Sequence, residues 1–163
     1  MLKLDNHASG RHFLHIPGPS PVPPRVLRAI SYQTIDHRGP EFGAFGLKVL
    51  ENIKKIFKTE QPVIIYSASG TGSWEGALVN VLSPGDKVLF YETGQFANLW
   101  RALAAKIGLQ AEVIGKTGKD TWRWGVDAAV IEERLRKDTQ HEIKAVCVVH
   151  NETSTGMTSN IEI

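Results

Sequence analysis

Apolar residues fall at Phe42, Phe45, Val49, Leu50, Ile53, Ile56 and Phe57, the three- and four-residue spacing of one long amphipathic helix. From residue 63 the rhythm shortens. Val63–Tyr66, Lys87–Tyr91, Ala111–Ile114 and Ala145–Val149 are short runs bounded by turn-forming residues, and each predicts a strand. Ser73–Leu82 carries a helical pattern that stops at Ser83-Pro84-Gly85-Asp86, a loop signal. Phe96, Leu99, Trp100, Leu103, Ala104 and Ile107 share one helical face, and Gly108 follows where a left-handed helix stop belongs. Asp127 is placed to cap a further helix bearing Val130, Ile131 and Leu135. Ahead of all these, the proline-rich stretch 17–24 predicts a stiff, extended arm, followed by a short helix with Val26, Leu27 and Ile30 on one side. Strands alternating with helices predict right-handed crossovers and a mostly parallel sheet, so the chain reads as α/β.

Open α/β sheets bind ligands beyond the carboxyl ends of their strands. Three polar, glycine-containing loops are expected at that edge: Ser67–Ser73, Glu92–Gln95 and His150–Gly156. In the first, Ser69-Gly70-Thr71-Gly72 joins a strand to a helix. Glycines let the backbone approach a ligand closely, and a helix N-terminus attracts phosphate. Phosphate binding is the preferred reading, and a tight turn whose hydroxyls merely cap the helix is the plain one. Gly70, Gly72 and Gly76, with Glu92 ending the next strand, also imitate a dinucleotide fingerprint. Against an NAD(P)-dependent oxidoreductase, a long helix precedes the first strand, and the glycine spacing is one residue longer than the common form.

Other candidates carry weaker local signals. Phe96 shares its face with Leu99, Trp100 and Leu103, so by position alone it reads as core. The loop His150–Gly156 is dense in hydrogen-bonding side chains, which suits a binding loop on a rigid scaffold. His150 and Glu152 are poorly spaced for a metal, and no metal site is expected. His37-Arg38 suits an anionic group and equally suits a surface or interface contact. Trp122 and Trp124 read as packing residues of a loop hairpin.

Composition narrows the classes. With 163 residues, 42% hydrophobic and 22% charged, the chain is an ordinary globular α/β protein able to bury one core. A net charge of +2 gives no footprint for nucleic acid. Lys48, Lys54, Lys55 and Lys58 read as a solvated helix face. The single cysteine, Cys147, forbids an intrachain disulfide framework and reads as a small buried hydrophobe. No stretch is long and apolar enough for a membrane span, and Met1–Asp5 lacks a signal core, so the cytoplasm is the default compartment. A C-terminal peroxisomal address would fall outside this span.

The motifs arrive in a familiar order. Ile16-Pro17-Gly18-Pro19-Ser20-Pro21-Val22-Pro23-Pro24-Arg25-Val26-Leu27, His37-Arg38-Gly39-Pro40-Glu41-Phe42, Ser69-Gly70-Thr71-Gly72-Ser73-Trp74-Glu75-Gly76-Ala77-Leu78, Leu82-Ser83-Pro84-Gly85-Asp86-Lys87-Val88 and Val148-Val149-His150-Asn151-Glu152-Thr153-Ser154-Thr155-Gly156 resemble class V pyridoxal-phosphate aminotransferases. The likeness runs from about Gly10 to the chain end. Gly94-Gln95-Phe96 followed by Leu99-Trp100 looks particularly like the serine–glyoxylate branch.

The resemblance implies part of a three-layer fold-type-I large domain with a mostly parallel sheet, in a homodimer with its active site near the subunit interface. Residues 1–40 would form an N-terminal arm and short helix, and residues 41–163 the first part of the cofactor-binding domain. Ser69, Gly70 and Thr71 would hold the phosphate of pyridoxal 5'-phosphate. Phe96 would stack on its ring, which reverses the local reading of that residue, and Thr153 would bond a ring oxygen. Gly18, His37 and Arg38 would lie near the substrate. The amino-acid and 2-oxo-acid substrates would be serine and glyoxylate, giving hydroxypyruvate and glycine, with alanine–glyoxylate transamination as the near alternative. The family's Schiff-base lysine, its ring-nitrogen aspartate and its substrate arginine all fall beyond Ile163. No catalytic residue is therefore expected within these residues, and alone they are expected to be inactive. A non-catalytic interaction module on the same scaffold is the remaining alternative.

Overall fold

The computed structural model describes residues 14–115 and 118–161. The first thirteen residues of the expected N-terminal arm lie outside the described residues. The chain divides between Ile65 and Tyr66 into two compact units.

In the first unit the proline arm is exposed and leads into α1, Pro24–Ile30; it bends over residues 16–19, with a cis Gly18–Pro19 peptide, in place of the extended run that its prolines predict. Asp36 then organises a turn: its carbonyl accepts from the Gly39 N–H at 3.0 Å, and its carboxylate accepts from the Arg38 N–H at 3.0 Å. Helix α2, Pro40–Phe57, begins directly afterwards with Pro40 at its first position, where a missing N–H costs nothing. It ends at Lys58 in the left-handed conformation. The predicted amphipathic helix is therefore present. None of its residues is buried, because among the described residues its apolar face meets too little other surface to cover it.

The second unit carries the sheet. Helix α3 spans Gly70–Val81, β1 Lys87–Tyr91, α4 Gln95–Lys106, β2 Gln110–Ile114, α5 Ala128–Arg136 and β3 Ile143–Cys147. Two short strands, β4 (Asn151–Glu152) and β5 (Met157–Thr158), close an antiparallel hairpin. The main sheet has the order β2-β1-β3, and both pairings are parallel. Being central, β1 is buried on both faces: Val88, Leu89, Phe90 and Tyr91 are all inside. That is why its sequence is a continuous apolar run with no alternation. Val88 and Phe90 join Leu78, Ala104, Leu109 and Cys147 in the core, with Trp100 and Leu82 packed against it.

Several sequence-based boundaries shift. Residues 63–66 form no strand. Ile64 is 69% exposed, and among the described residues the segment has no ladder partner; strand propensity without a neighbour leaves extended chain. Helix α3 starts at Gly70 and not Ser73, because Ser69 caps it. The predicted strand 145–149 runs from Ile143 to Cys147. Its start is set by Asp138, whose carboxylate accepts from the backbone N–H groups of Glu142 at 3.1 Å and Ile143 at 2.8 Å. Lys144 is the extra residue of an irregularity opposite Lys87/Val88. Trp122 lies in a short 3-10 turn, Thr121–Arg123, not a hairpin. It is 51% exposed and sits under the Arg123 guanidinium at 4.9 Å.

Candidate functional site

The first loop is built by its own residues. Ser69 is extended and its hydroxyl accepts from the Thr71 N–H at 3.3 Å, while its carbonyl accepts from the Gly72 N–H at 3.0 Å. Capping by Ser69 is therefore real. It leaves the Gly70 N–H, which helix geometry deprives of an intrahelical partner, and the exposed Thr71 side chain. A Cβ on Gly70 would meet nothing within 4 Å, whereas one on Gly72 would lie 2.6 Å from the Ala68 Cβ. The turn is tight at Gly72 and open at Gly70.

An aromatic ladder links this turn to the next one. Trp74, in the first turns of α3, stacks on Trp100 at 5.6 Å and meets the edge of Phe96 at 6.2 Å and 69°. Trp100 continues to Phe90 in the core at 5.9 Å. Phe96 is half-buried, so it is neither a plain core residue nor a free surface ring.

The third loop is tied to the same place by Glu152, whose role sequence reasoning missed. Its carboxylate is 1% exposed. One oxygen accepts from the Phe96 N–H at 3.3 Å, the Ser154 N–H at 3.0 Å and the Ser154 hydroxyl at 2.6 Å; the other accepts from the Ala97 N–H at 3.2 Å. The Ser154 hydroxyl in turn accepts from the Gln95 N–H at 2.9 Å. Thr153, exposed between these two residues, is thereby held beside the start of α4. Nothing local in the sequence marks this role, because the partners of the acid lie more than fifty residues earlier in the chain.

Burial raises the Glu152 carboxyl, but the Ser154 hydroxyl and N–H and the Ala97 and Phe96 N–H groups outweigh it, so its pKa lies below the ordinary value. As pH falls, the unfolded chain takes up this proton first, near pH 4.3, and stability is lost down through the lower folded value. Melting temperature should fall across that acid range, and Glu152→Gln should flatten part of the fall. An unchanged slope would contradict an ionised clamp.

The remaining candidates are placed as follows. Gly18 lies on the exposed arm, and His37 and Arg38 lie in the exposed turn before α2, all in the first unit. The Glu92 carboxylate accepts from the Asn98 side chain at 2.9 Å, a local helix contact. Cys147 is buried, and burial pushes its thiol up to about 11, which disqualifies it as a nucleophile. A cleft of about 440 Å³ opens at the carboxyl ends of β1 and β2, lined by Glu92, Thr93, Gly94, Ile114, Gly115 and Trp122 among others. The buried Thr93 hydroxyl has no hydrogen-bond partner among the described residues. Away from this edge, Arg134 on α5 holds Glu112 on β2 through a two-pronged ion pair.

A parallel sheet with polar loops gathered at its carboxyl edge is the frame on which open α/β proteins bind ligands, and the pattern of the aminotransferase class-V family matches residues 12–163. The chain belongs to that family, which is dependent on pyridoxal phosphate. It is 48% identical over 153 residues to a serine–glyoxylate aminotransferase of Methylorubrum extorquens, covering 93% of this chain and 37% of that protein. It is 42% identical over 149 residues to an L-aspartate–glyoxylate aminotransferase of Paracoccus denitrificans, covering 91% and 37%. The crystal structure of an alanine–glyoxylate aminotransferase from Nostoc sp. superposes with a TM-score of 0.79 at 29% identity, over 99% of this chain and 41% of that one. The chain thus spans about 37% of the length of the curated relatives it matches. No helix among the described residues is long and apolar enough to cross a membrane.

Proposed function

We propose that the complete protein is a pyridoxal-phosphate aminotransferase that passes the amino group of serine to glyoxylate, and that residues 41–163 form the first part of its large domain. The observation that carries the reading is the meeting of three loops. The open turn at Gly70, the half-buried Phe96 ring and the Thr153 hairpin are joined through Trp74 and Glu152.

Within that reading each residue has one task. The Gly70 N–H with the Ser69 and Thr71 hydroxyls binds the phosphate. Phe96 offers a flat ring for the heteroaromatic face, and the Thr153 hydroxyl bonds a ring oxygen. Bound pyridoxal phosphate supplies the electron sink that lets an amino acid exchange its amino group. Gly18, His37 and Arg38 contribute to substrate binding in a homodimer. The serine donor rests on the 48% identity to a serine–glyoxylate enzyme. Alanine as donor is the second reading, favoured by the fold match to an alanine–glyoxylate enzyme. The dinucleotide reading loses its footing, because residues 63–66 form no strand and Glu92 is engaged by Asn98.

Protein from the complete coding sequence should convert serine and glyoxylate to hydroxypyruvate and glycine faster than it uses alanine or aspartate. Transamination with none of these donors overturns the reading, and a lysine or aspartate missing downstream would favour a non-catalytic module. The 163 residues alone should show no turnover. Borohydride reduction in the presence of cofactor should yield scattered lysine labelling and no single stoichiometric adduct.

A further inference from the structure

Helix α4 begins without a cap of its own: Gly94 stands at the N-cap position and offers no side chain. Local caps come from a serine, threonine, aspartate or asparagine at that position. Here the first three N–H groups, of Gln95, Phe96 and Ala97, are all satisfied by the β4–β5 hairpin, more than fifty residues further along the chain. Gln95 bonds Ser154, and Phe96 and Ala97 bond the two oxygens of Glu152. A local cap would stabilise the helix as well, but it would leave the hairpin free to move relative to it.

We propose that Glu152 is a positioning residue whose buried carboxylate, with Ser154, clamps the hairpin to the first turn of α4 and so sets Thr153 and Phe96 in register with each other. The inference rests on the reading that these two residues contact the cofactor ring. One ring contact comes from a helix and the other from a turn, and no bond within either element fixes their separation. Ser154 and Glu152, which flank or adjoin Thr153, bond Gln95, Phe96 and Ala97, so the residue bearing the aromatic ring is held at its own backbone. The close fit extends to Gly94, where a Cβ would lie 2.6 Å from the Ser154 hydroxyl and 2.7 Å from the Glu152 Cγ. Glutamine at 152 keeps the volume and serves one of the two acceptor positions. At the other it turns an NH2 toward a backbone N–H.

The test uses the complete protein, stripped of cofactor and reconstituted with pyridoxal phosphate. Glu152→Gln should remain folded by far-UV circular dichroism. It should bind the cofactor roughly tenfold more weakly, about what the loss of one hydrogen bond to a charged group costs. The visible circular dichroism of the bound cofactor should change as well, a signal that a purely structural role would leave alone. Wild-type affinity together with an unchanged visible spectrum would overturn the positioning role. If Glu152→Gln does not fold, Ser154→Ala decides. It keeps both carboxylate bonds to α4 and removes the link to Gln95, so it should weaken binding about threefold, and no change there overturns the inference. A wild-type protein that binds no pyridoxal phosphate would instead overturn the cofactor reading beneath it.

Discussion

Phe90→Ala is expected to destabilise the second unit by about 4 kcal/mol, within the range for an aromatic removed from a packed core. Phe90 is 2% exposed, sits on the central strand between Val113 of β2 and Cys147 of β3, and meets the edge of Trp100. Flanking strands cannot close on the void without losing their own parallel ladders, so little of the cavity will collapse. Trp100 loses a neighbour on one side and keeps Trp74 on the other, so the damage reaches the aromatic ladder that supports Phe96. Urea unfolding followed by circular dichroism should show the midpoint falling by about 2 M, for a slope near 2 kcal/mol/M. Val79→Ala, an exposed position on α3, should change stability by no more than about 0.5 kcal/mol. Equal effects at the two positions would mean that the core is not organised around β1.

What the sequence revealed follows from how local each signal is. The strand β1 and helix α4 were legible because their apolar residues and the Gly108 stop belong to the elements themselves, and Gly108 has a φ of +88°. The Asp127 cap was legible for the same reason, since its carboxylate accepts from Ala129 two residues on. The expected strand over 63–66 failed because pairing is a property of two segments, and one segment cannot announce whether the other is beside it. The early start of α3 was hidden by its glycines, which carry the lowest helix propensity short of proline and are overruled here by the Ser69 cap. By phase alone Phe96 reads as core, and only the family resemblance sets it against a cofactor ring. Its place in the first turn of α4, beyond the edge of the sheet, leaves it half-buried. Glu152 was unreadable because its partners lie more than fifty residues away. A buried carboxylate in a loop looks, in sequence, like any solvated acid.

Gly94→Ala is expected to cost about 3 kcal/mol, an unusual penalty for one methyl group. The added Cβ would stand 2.6 Å from the Ser154 hydroxyl oxygen, 2.7 Å from the Glu152 Cγ and 2.8 Å from the Glu152 Cδ, all well inside van der Waals contact. Overpacking of this kind costs about 1–3 kcal/mol by itself. Relief requires Glu152 to withdraw, and withdrawal breaks its bonds to the Phe96 and Ala97 N–H groups. Hydrogen bonds to a charged acceptor contribute about 1.5–3 kcal/mol. The two routes are alternatives, so the protein adopts the less costly mixture and the costs do not simply add. A double-mutant cycle separates them. Glu152→Ala has already lost the bonds and vacated the Cγ and Cδ positions, whereas the Ser154 contact and the Gly94 φ of +159° remain, so adding Gly94→Ala to it should cost about 2 kcal/mol, giving a coupling of roughly 1 kcal/mol. Thermal or urea unfolding of the four proteins measures that coupling directly. Additive penalties would show that Gly94 is glycine for a reason other than the carboxylate pressed against it.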